Sequence, residues 1–397
     1  MKIAYFIKRQ DVCYYIRVFV PSSHLGFMGN ETREVLVEHQ LFCKNPNCKN
    51  KSVQEVRHDI SGDVYVCSSC FTPIMDGLQK WKQSVYDALD WCDVAVFQRN
   101  THQTSLDLMI EGKRRGKLVI GEHDDNYIDI PDHNNGAKYY RQQRPVIEQM
   151  LKVAHGHTVT TKGLRDFYST YNKNIQIIPN AWDVDVYDVT PPLSSLYIFN
   201  GKNQQISVEQ FQNIRDGKKF VCWAGSPTHE KDLEVVIKPL KKLIERENVI
   251  VGMCAFVHRQ MMQLYPSDKL FLFGLVPAMG WYGMLKFLKP DVWLGPVEIN
   301  EFNRGKSNLK FQEAAMMGSS FVGTDFDTYN QSDLSGYLVQ NTEYDWWVGL
   351  RNAVNESADE ITETNNYNRE IILRDFDIKQ TVKSWDRFFK SGVANEV

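Results

Sequence analysis

The chain has 397 residues, 43% of them apolar and 24% charged, a globular composition with enough apolar material for two ordinary domain cores. A net charge of −3 and a pI near 6.4 exclude the global basic field of a general nucleic-acid binder, although a local basic groove stays open. No run of about 18 apolar residues occurs and MKIAYFIKRQ lacks the pattern of a leader, so a cytoplasmic protein without an integral membrane segment is expected, bacterial or of a virus-infected host cell.

From the amino end, KIAYFI (2–7), DVAVFQ (93–98), KLVIG (117–121), HTVTT (157–161) and IQIIP (175–179) predict short buried strands separated by helical stretches. Between the first two, Cys43-x4-Cys48 and Cys67-x2-Cys70 stand 18 residues apart in a polar stretch at about 40–73. Two such knuckles rich in turn-forming residues bring four thiolates into tetrahedral reach, so they predict a structural zinc site, a zinc-ribbon-like insertion. Unmetallated surface cysteines or a redox pair are the competing reading. Cys13, Cys92, Cys222 and Cys254 lie singly in apolar surroundings and read as core.

Arg99 follows the strand at 93–98, and Asp124-Asp125 follows the strand at 117–121. Either carboxylate could orient a hydroxyl or take its proton; an Asp pair after a strand is equally a turn or a helix cap. His102, His123, His133, His155 and His157 are possible partners, and none has metal-like spacing.

After a polar, poorly patterned stretch at about 188–217, a second βα series begins: KFVCWAG (219–225), VIVGMCAF (249–256), KLFLFG (269–274), DVWLGPV (291–297) and SSFVGT (319–324), with helices near 231–247 and 278–289. The expected fold is α/β, with two facing, doubly wound Rossmann-like domains. The expected boundaries are 1–187, 188–372, and a C-terminal segment 373–397 whose Val382, Trp385 and Phe388 or Phe389 make one apolar helix face. Ligands of such sheets bind beyond the carboxyl ends of the strands, hence in the cleft between the domains.

Two loops fit that place. Gly225-Ser226 ends one strand and leads through His229 into a helix near Lys231-Asp232, where small residues admit a close backbone approach and His229 and Lys231 could face a diphosphate. Further on, Arg304, Gly305, Lys306 and Ser307 crowd the expected start of a helix, where free N–H groups and the helix dipole attract anions. Lys310 falls in the first turn, and Glu313 could meet the paired hydroxyls of a ribose. The pattern is not a P-loop, because Asn300 occupies the position of its first glycine.

The strings VCWAGSPTHEKDLE, FNRGKSNLKFQEAAMMGSSFVGTD and IQIIPNAWD resemble the donor domain and interdomain segment of GT-B glycosyltransferases of the retaining family 4 type, and DVAVFQRN followed by KLVIGEHDDNYIDIP is similar to a subgroup of them. The resemblance implies a hexosyl- or pentosyltransferase using a UDP- or GDP-linked sugar. Lys306, Ser307 and the 225–231 loop would hold the diphosphate, Glu313 the ribose, and Arg99, Asp124 and Asp125 would stand on the acceptor side. Two departures stand out: Gly305 replaces the first Glu of the Glu-x7-Glu pair, and Ser226 replaces the usual Arg after the first glycine. The insertion motivates an acceptor that is a hydroxymethylated base in phage DNA, that is, DNA modification. An inactive zinc-containing nucleic-acid-binding protein and a sugar-nucleotide epimerase on the same fold are the other readings.

Overall fold

The computed structural model describes residues 1–8, 12–37, 54–59, 62–67 and 75–396, with backbone alone for 12, 54–59, 62–67, 75–82 and 393–396. The first sheet is formed by β1 (Lys2–Ile7), β2 (Glu31–Leu36), β5 (Val94–Gln98), β6 (Leu118–His123), β7 (Gly156–Val159) and β8 (Ile175–Ile177). Between β2 and β5 comes an antiparallel hairpin of β3 (Gln54–Asp59) and β4 (Gly62–Cys67). Cys43, Cys48, Cys70 and the side chain of Cys67 fall outside the described residues, and the predicted zinc site with them. Among the described residues no cluster of three or more metal-ligating side chains occurs, and no helix is long and apolar enough to cross a membrane.

The six strands are parallel in the order β2-β1-β5-β6-β7-β8. β5 and β6 are buried throughout, which explains their unbroken apolar runs: helices cover both faces of a parallel sheet. One face packs Ala4, Phe6, Ala95 and Phe97 against Leu89, Leu106 and Met109. The other packs Tyr5, Val96 and Ile120 against Val382, Trp385 and Phe389 of the helix Ile378–Glu396, which returns from the far end of the chain. Trp385 is 1% exposed, and truncating it to Ala should cost about 3–5 kcal/mol.

The second sheet has β9 (Ile198–Asn200), β10 (Gln205–Ile206), β11 (Lys219–Ala224), β12 (Val249–Cys254), β13 (Leu270–Phe273), β14 (Val292–Gly295), β15 (Ser320–Thr324) and β16 (Tyr337–Val339). Its order is β10-β9-β13-β12-β11-β14-β15-β16, parallel except at β9, which runs against both of its neighbours. The helix Glu230–Arg246 buries Leu233, Val236, Ile237, Leu240, Leu243 and Ile244, a spacing of three and four that places one apolar stripe on the sheet.

Both sheets reverse their winding at their first long strand. In the first, β1 lies between β2 and β5; in the second, β11 lies between β12 and β14. Loops leaving such adjacent strands part in opposite directions and leave a crevice at the carboxyl ends. The two halves are held with these ends together. Thr161 Oγ1 donates to the Gly305 carbonyl at 2.9 Å, Asn180 Nδ2 to Ser307 Oγ at 2.9 Å, and Trp182 Nε1 to Gln312 Oε1 at 3.0 Å. Beneath the crossing segment a buried ion pair joins Arg17 Nε to Glu122 Oε1 at 2.7 Å, and Arg17 also donates to the Ile178 and Pro179 carbonyls.

Candidate functional site

A cleft of about 430 Å³ opens where the two switch points meet. Its first wall comes from the ends of β5 and β6. Arg99 adopts a left-handed backbone (φ 55°), a conformation L-residues rarely take and one that tends to mark functional positions. From there its Nε donates to the Tyr127 hydroxyl at 2.7 Å and lies 3.3 Å from Asp124 Oδ1, to which Tyr127 itself donates at 2.6 Å. Burial works against the Asp124 charge, but Arg99, Tyr127 and Cys13 together hold its carboxyl below the usual range.

The two aspartates thus have different surroundings. Asp124 is engaged with Arg99 and Tyr127, whereas Asp125 lines the cleft with Oδ2 3.5 Å from Lys306 Nζ of the other half. Its Oδ1 is buried with no hydrogen-bond partner among the described residues. Tyr140, stacked on Tyr127 at 5.2 Å, completes an aromatic flank.

The second wall comes from the loops after β11 and β14. A Cβ on Gly225 would lie 2.5 Å from the Trp223 indole, so only glycine lets the chain pass so close to that ring. Ser226 Oγ and Thr228 Oγ1 are 2.6 Å apart. His229 Nδ1 donates to Asp232 Oδ2 at 2.7 Å, and Asp232 Oδ1 accepts from the Glu298 amide at 2.7 Å and Asn303 Nδ2 at 3.1 Å. Asp232 therefore ties the two loops to each other. Burial, aided by Lys306 and Lys310 and opposed by Asp232, lowers the His229 pKa and keeps the ring neutral.

The loop after β14 departs from the expected single helix start. Asn300 caps a separate turn, Glu301–Arg304, by accepting from the Asn303 amide, and the next helix, Leu309–Met317, begins only after Asn308. Arg304 therefore closes a turn instead of opening a helix; it is half exposed and pairs with Asp327 at 2.9 Å. Lys306 and Ser307 lie in the bend between the two, Lys306 in the cleft with its ammonium 4.6 Å from the Phe302 ring centre.

Three other predicted donor residues lie off the cleft. Lys231 is half exposed and pairs with Glu234 at 2.8 Å. Lys310 donates to the Ala224 carbonyl, and burial lowers its pKa. Glu313 is buried and accepts from the indoles of Trp281 at 3.0 Å and Trp293 at 3.2 Å; burial raises its pKa against the pull of Lys310 and those two donors.

The histidines also separate. His133 faces Glu298 at 3.4 Å across the cleft. His123 and His157 meet 3.2 Å apart in the core, where burial pushes them down to about 3 and about 4. His102 bonds the Tyr139 hydroxyl at 2.7 Å, and His155 Nδ1 accepts from the Val119 amide at 2.9 Å. Sequence reading passed over Asp232, Tyr127 and Tyr140. The first had a usable signal, a His and an Asp three apart at a helix start, which one helical turn brings together.

No family model and no curated protein matches this sequence. Solved structures do match along nearly the whole chain. A glycosyltransferase from Rickettsia africae ESF-5 superposes with a TM-score of 0.64 at 13% identity, covering 99% of this chain and 98% of that one. The fold is that of the GT-B glycosyltransferases. TarM gives a TM-score of 0.63 at 13% identity over 98% of both chains. Anabaena Alr3699/HepE, solved in complex with UDP-glucose, gives 0.63 at 10% identity over 98% of this chain and 100% of that one. The GT-B arrangement accounts for the two mostly parallel sheets and for the position of the cleft between their carboxyl ends.

Proposed function

We propose that this protein is a glycosyltransferase that moves a sugar from a nucleoside-diphosphate donor to an acceptor hydroxyl. The observation that carries the reading is the approach of Lys306 and Asp125 across the cleft, a cation from the second half 3.5 Å from a carboxylate of the first. Such a pair of charges suits sugar transfer. As the bond to the anomeric carbon breaks, negative charge grows on the leaving diphosphate, and a fixed cation lowers the barrier in proportion to that growth. On the other side the acceptor hydroxyl must be oriented and lose its proton, work suited to Asp125, with Asp124 holding Arg99 and Tyr127 in place.

The remaining roles extend this assignment. Ser226, His229, Lys306 and Ser307 surround the diphosphate, with Gly225 giving the close approach; Lys310 adds positive charge from behind the loop after β11, whereas Lys231 and Arg304 are engaged with Glu234 and Asp327 and take no part. The ribose contact of Glu313 rests on the resemblance alone, since its carboxylate is buried off the cleft between two indoles. Similarity to the family 4 type favours retention of anomeric configuration. The domains are assigned as 1–187 and 188–372, with 373–397 packing on the first. Cys43, Cys48, Cys67 and Cys70 hold a structural zinc ion. A hydroxymethylated base in DNA as acceptor rests on that insertion alone.

The test is thermal unfolding with UDP, GDP, ADP, CMP and their sugar conjugates. A nucleotide at about 100 times its Kd should stabilise the chain by roughly 2.7 kcal/mol. A selective shift, lost in Lys306→Ala, is the expected result; no shift with any of them would sink the transferase reading.

A further inference from the structure

His229 and Asp232 form a unit that donor binding alone does not explain. The histidine sits at the entrance to the helix Glu230–Arg246 and lines the cleft. Asp232 is 5% exposed, and all three of its hydrogen bonds are directed: one oxygen takes the imidazole Nδ1–H, the other the Glu298 amide and the Asn303 amide group. An ionised carboxylate only accepts, so its bond to Nδ1 fixes the tautomer and leaves Nε2 as the nitrogen with a free lone pair. No partner for Nε2 occurs among the described residues. Asp232 ties the loops through one oxygen and spends the other on the imidazole, an arrangement that lets Nε2 hold or release a proton toward the cleft.

Resting on the transferase reading, we infer that His229 is a further catalytic residue, which carries a proton on Nε2 to the leaving diphosphate oxygen while Asp232 positions the ring and supports its charge. The bond between the anomeric carbon and that oxygen breaks, the electron pair stays on the oxygen, and the oxygen takes the proton from Nε2. The acceptor oxygen forms the new bond to the anomeric carbon and gives its proton to Asp125. Asp125 then releases that proton to water, and His229 is left neutral, its state before a donor arrives, so both groups are back in their starting states.

Arrival of the donor switches the ring into its acidic form. Without donor, burial and the two ammonium groups of Lys306 and Lys310 oppose protonation, and Asp232 alone favours it. The carboxylates of Glu298 and Asp125 and the Arg99 guanidinium face the same cleft. A diphosphate brought against Lys306 cancels the opposing cations and adds negative charge beside Nε2, so binding and proton uptake become one event.

The experiment is calorimetric titration of the full chain with UDP-glucose and with GDP-mannose, whose phosphodiesters do not titrate between pH 5 and 9, in buffers of different ionisation enthalpy. Wild type is expected to take up a fraction of a proton approaching one near pH 7.5, with affinity falling up to tenfold per pH unit as pH rises. His229→Gln is expected to bind without proton uptake and with an affinity that no longer varies with pH, whatever its absolute value. Binding without uptake in wild type, or equal uptake in His229→Gln, overturns the inference and leaves the donor site standing. Failure of both sugar nucleotides to bind overturns the inference together with the transferase reading beneath it.

Discussion

Gly163 packs directly on the carbonyl of Arg304: a Cβ at residue 163 would lie 2.3 Å from that oxygen. Here backbone of the first half touches backbone of the second, two residues before Lys306. Gly305 repeats the contact in reverse, because a Cβ there would lie 2.8 Å from Leu164 Cδ2. Neither clash can be relieved by rotating a side chain of the mutated residue.

Gly163→Ala should therefore displace the bend that carries Lys306 and Ser307. The expected outcome is a lower melting temperature and roughly tenfold weaker nucleotide binding, about 1.4 kcal/mol, read by calorimetry and titration. Unchanged values for both would mean that the contact yields without moving the bend.

Asp125→Asn keeps the shape of the cleft and removes the charge opposite Lys306. If Asp125 serves the acceptor, donor affinity should stay within about threefold while turnover falls by a factor on the order of 100 or more. Lys306→Met should do the opposite first, weakening donor affinity. Equal effects of both substitutions on affinity would assign Asp125 to donor binding instead.

The Arg17–Glu122 pair predicts a pH dependence of stability. Burial, outweighing the attraction of Arg17, pushes the Glu122 carboxyl up to about 7 from an ordinary 4.5. Between those values the folded chain binds more protons at this site than the unfolded chain, so this site lowers stability as pH rises through the window, and the loss is complete above it. Glu122→Gln lacks that titration. The unfolding free energy of the variant relative to wild type should therefore move in favour of the variant by on the order of 2–3 kcal/mol from pH 4.5 to pH 7.5, measured by urea unfolding. A difference independent of pH would show the carboxylate to be ionised throughout.

Metal analysis of the purified chain should find one zinc per chain, lost in Cys70→Ser. Nucleotide affinity should change little, since a closed four-thiolate site holds a loop and leaves no position for substrate. Absence of zinc from the wild-type chain would reject the site.

The strands that lie in sheet interiors were legible because a strand covered on both faces is apolar along most of its length: KIAYFI, DVAVFQ and VIVGMCAF each mark one. The edges were not. β2 (ETREVL) shows one side to solvent, and β9, β10 and β16 have only two or three residues, so none leaves an apolar run. A similar limit applies to the cleft. Residue types after a strand indicate which loops reach its carboxyl end, and Arg99, Asp125, Ser226, His229 and Lys306 do line one cavity. Side-chain direction within a loop is not written in that pattern: Asp124 and Asp125 are neighbours with different partners, and Arg304 turns to Asp327 because Asn300 caps a turn of its own.

Trp385 and Phe389 fill the same core as Ile3 and Tyr5, so on the ribosome the strand that holds Ile3 waits for the helix that holds Trp385 before its interior is closed. The second sheet draws only on residues that emerge earlier, and it can consolidate while the first still exposes the apolar face that the returning helix will cover. During synthesis the half made second is the one able to finish first, and an unfinished chain presents a greasy surface for chaperones to hold until residue 389 is out.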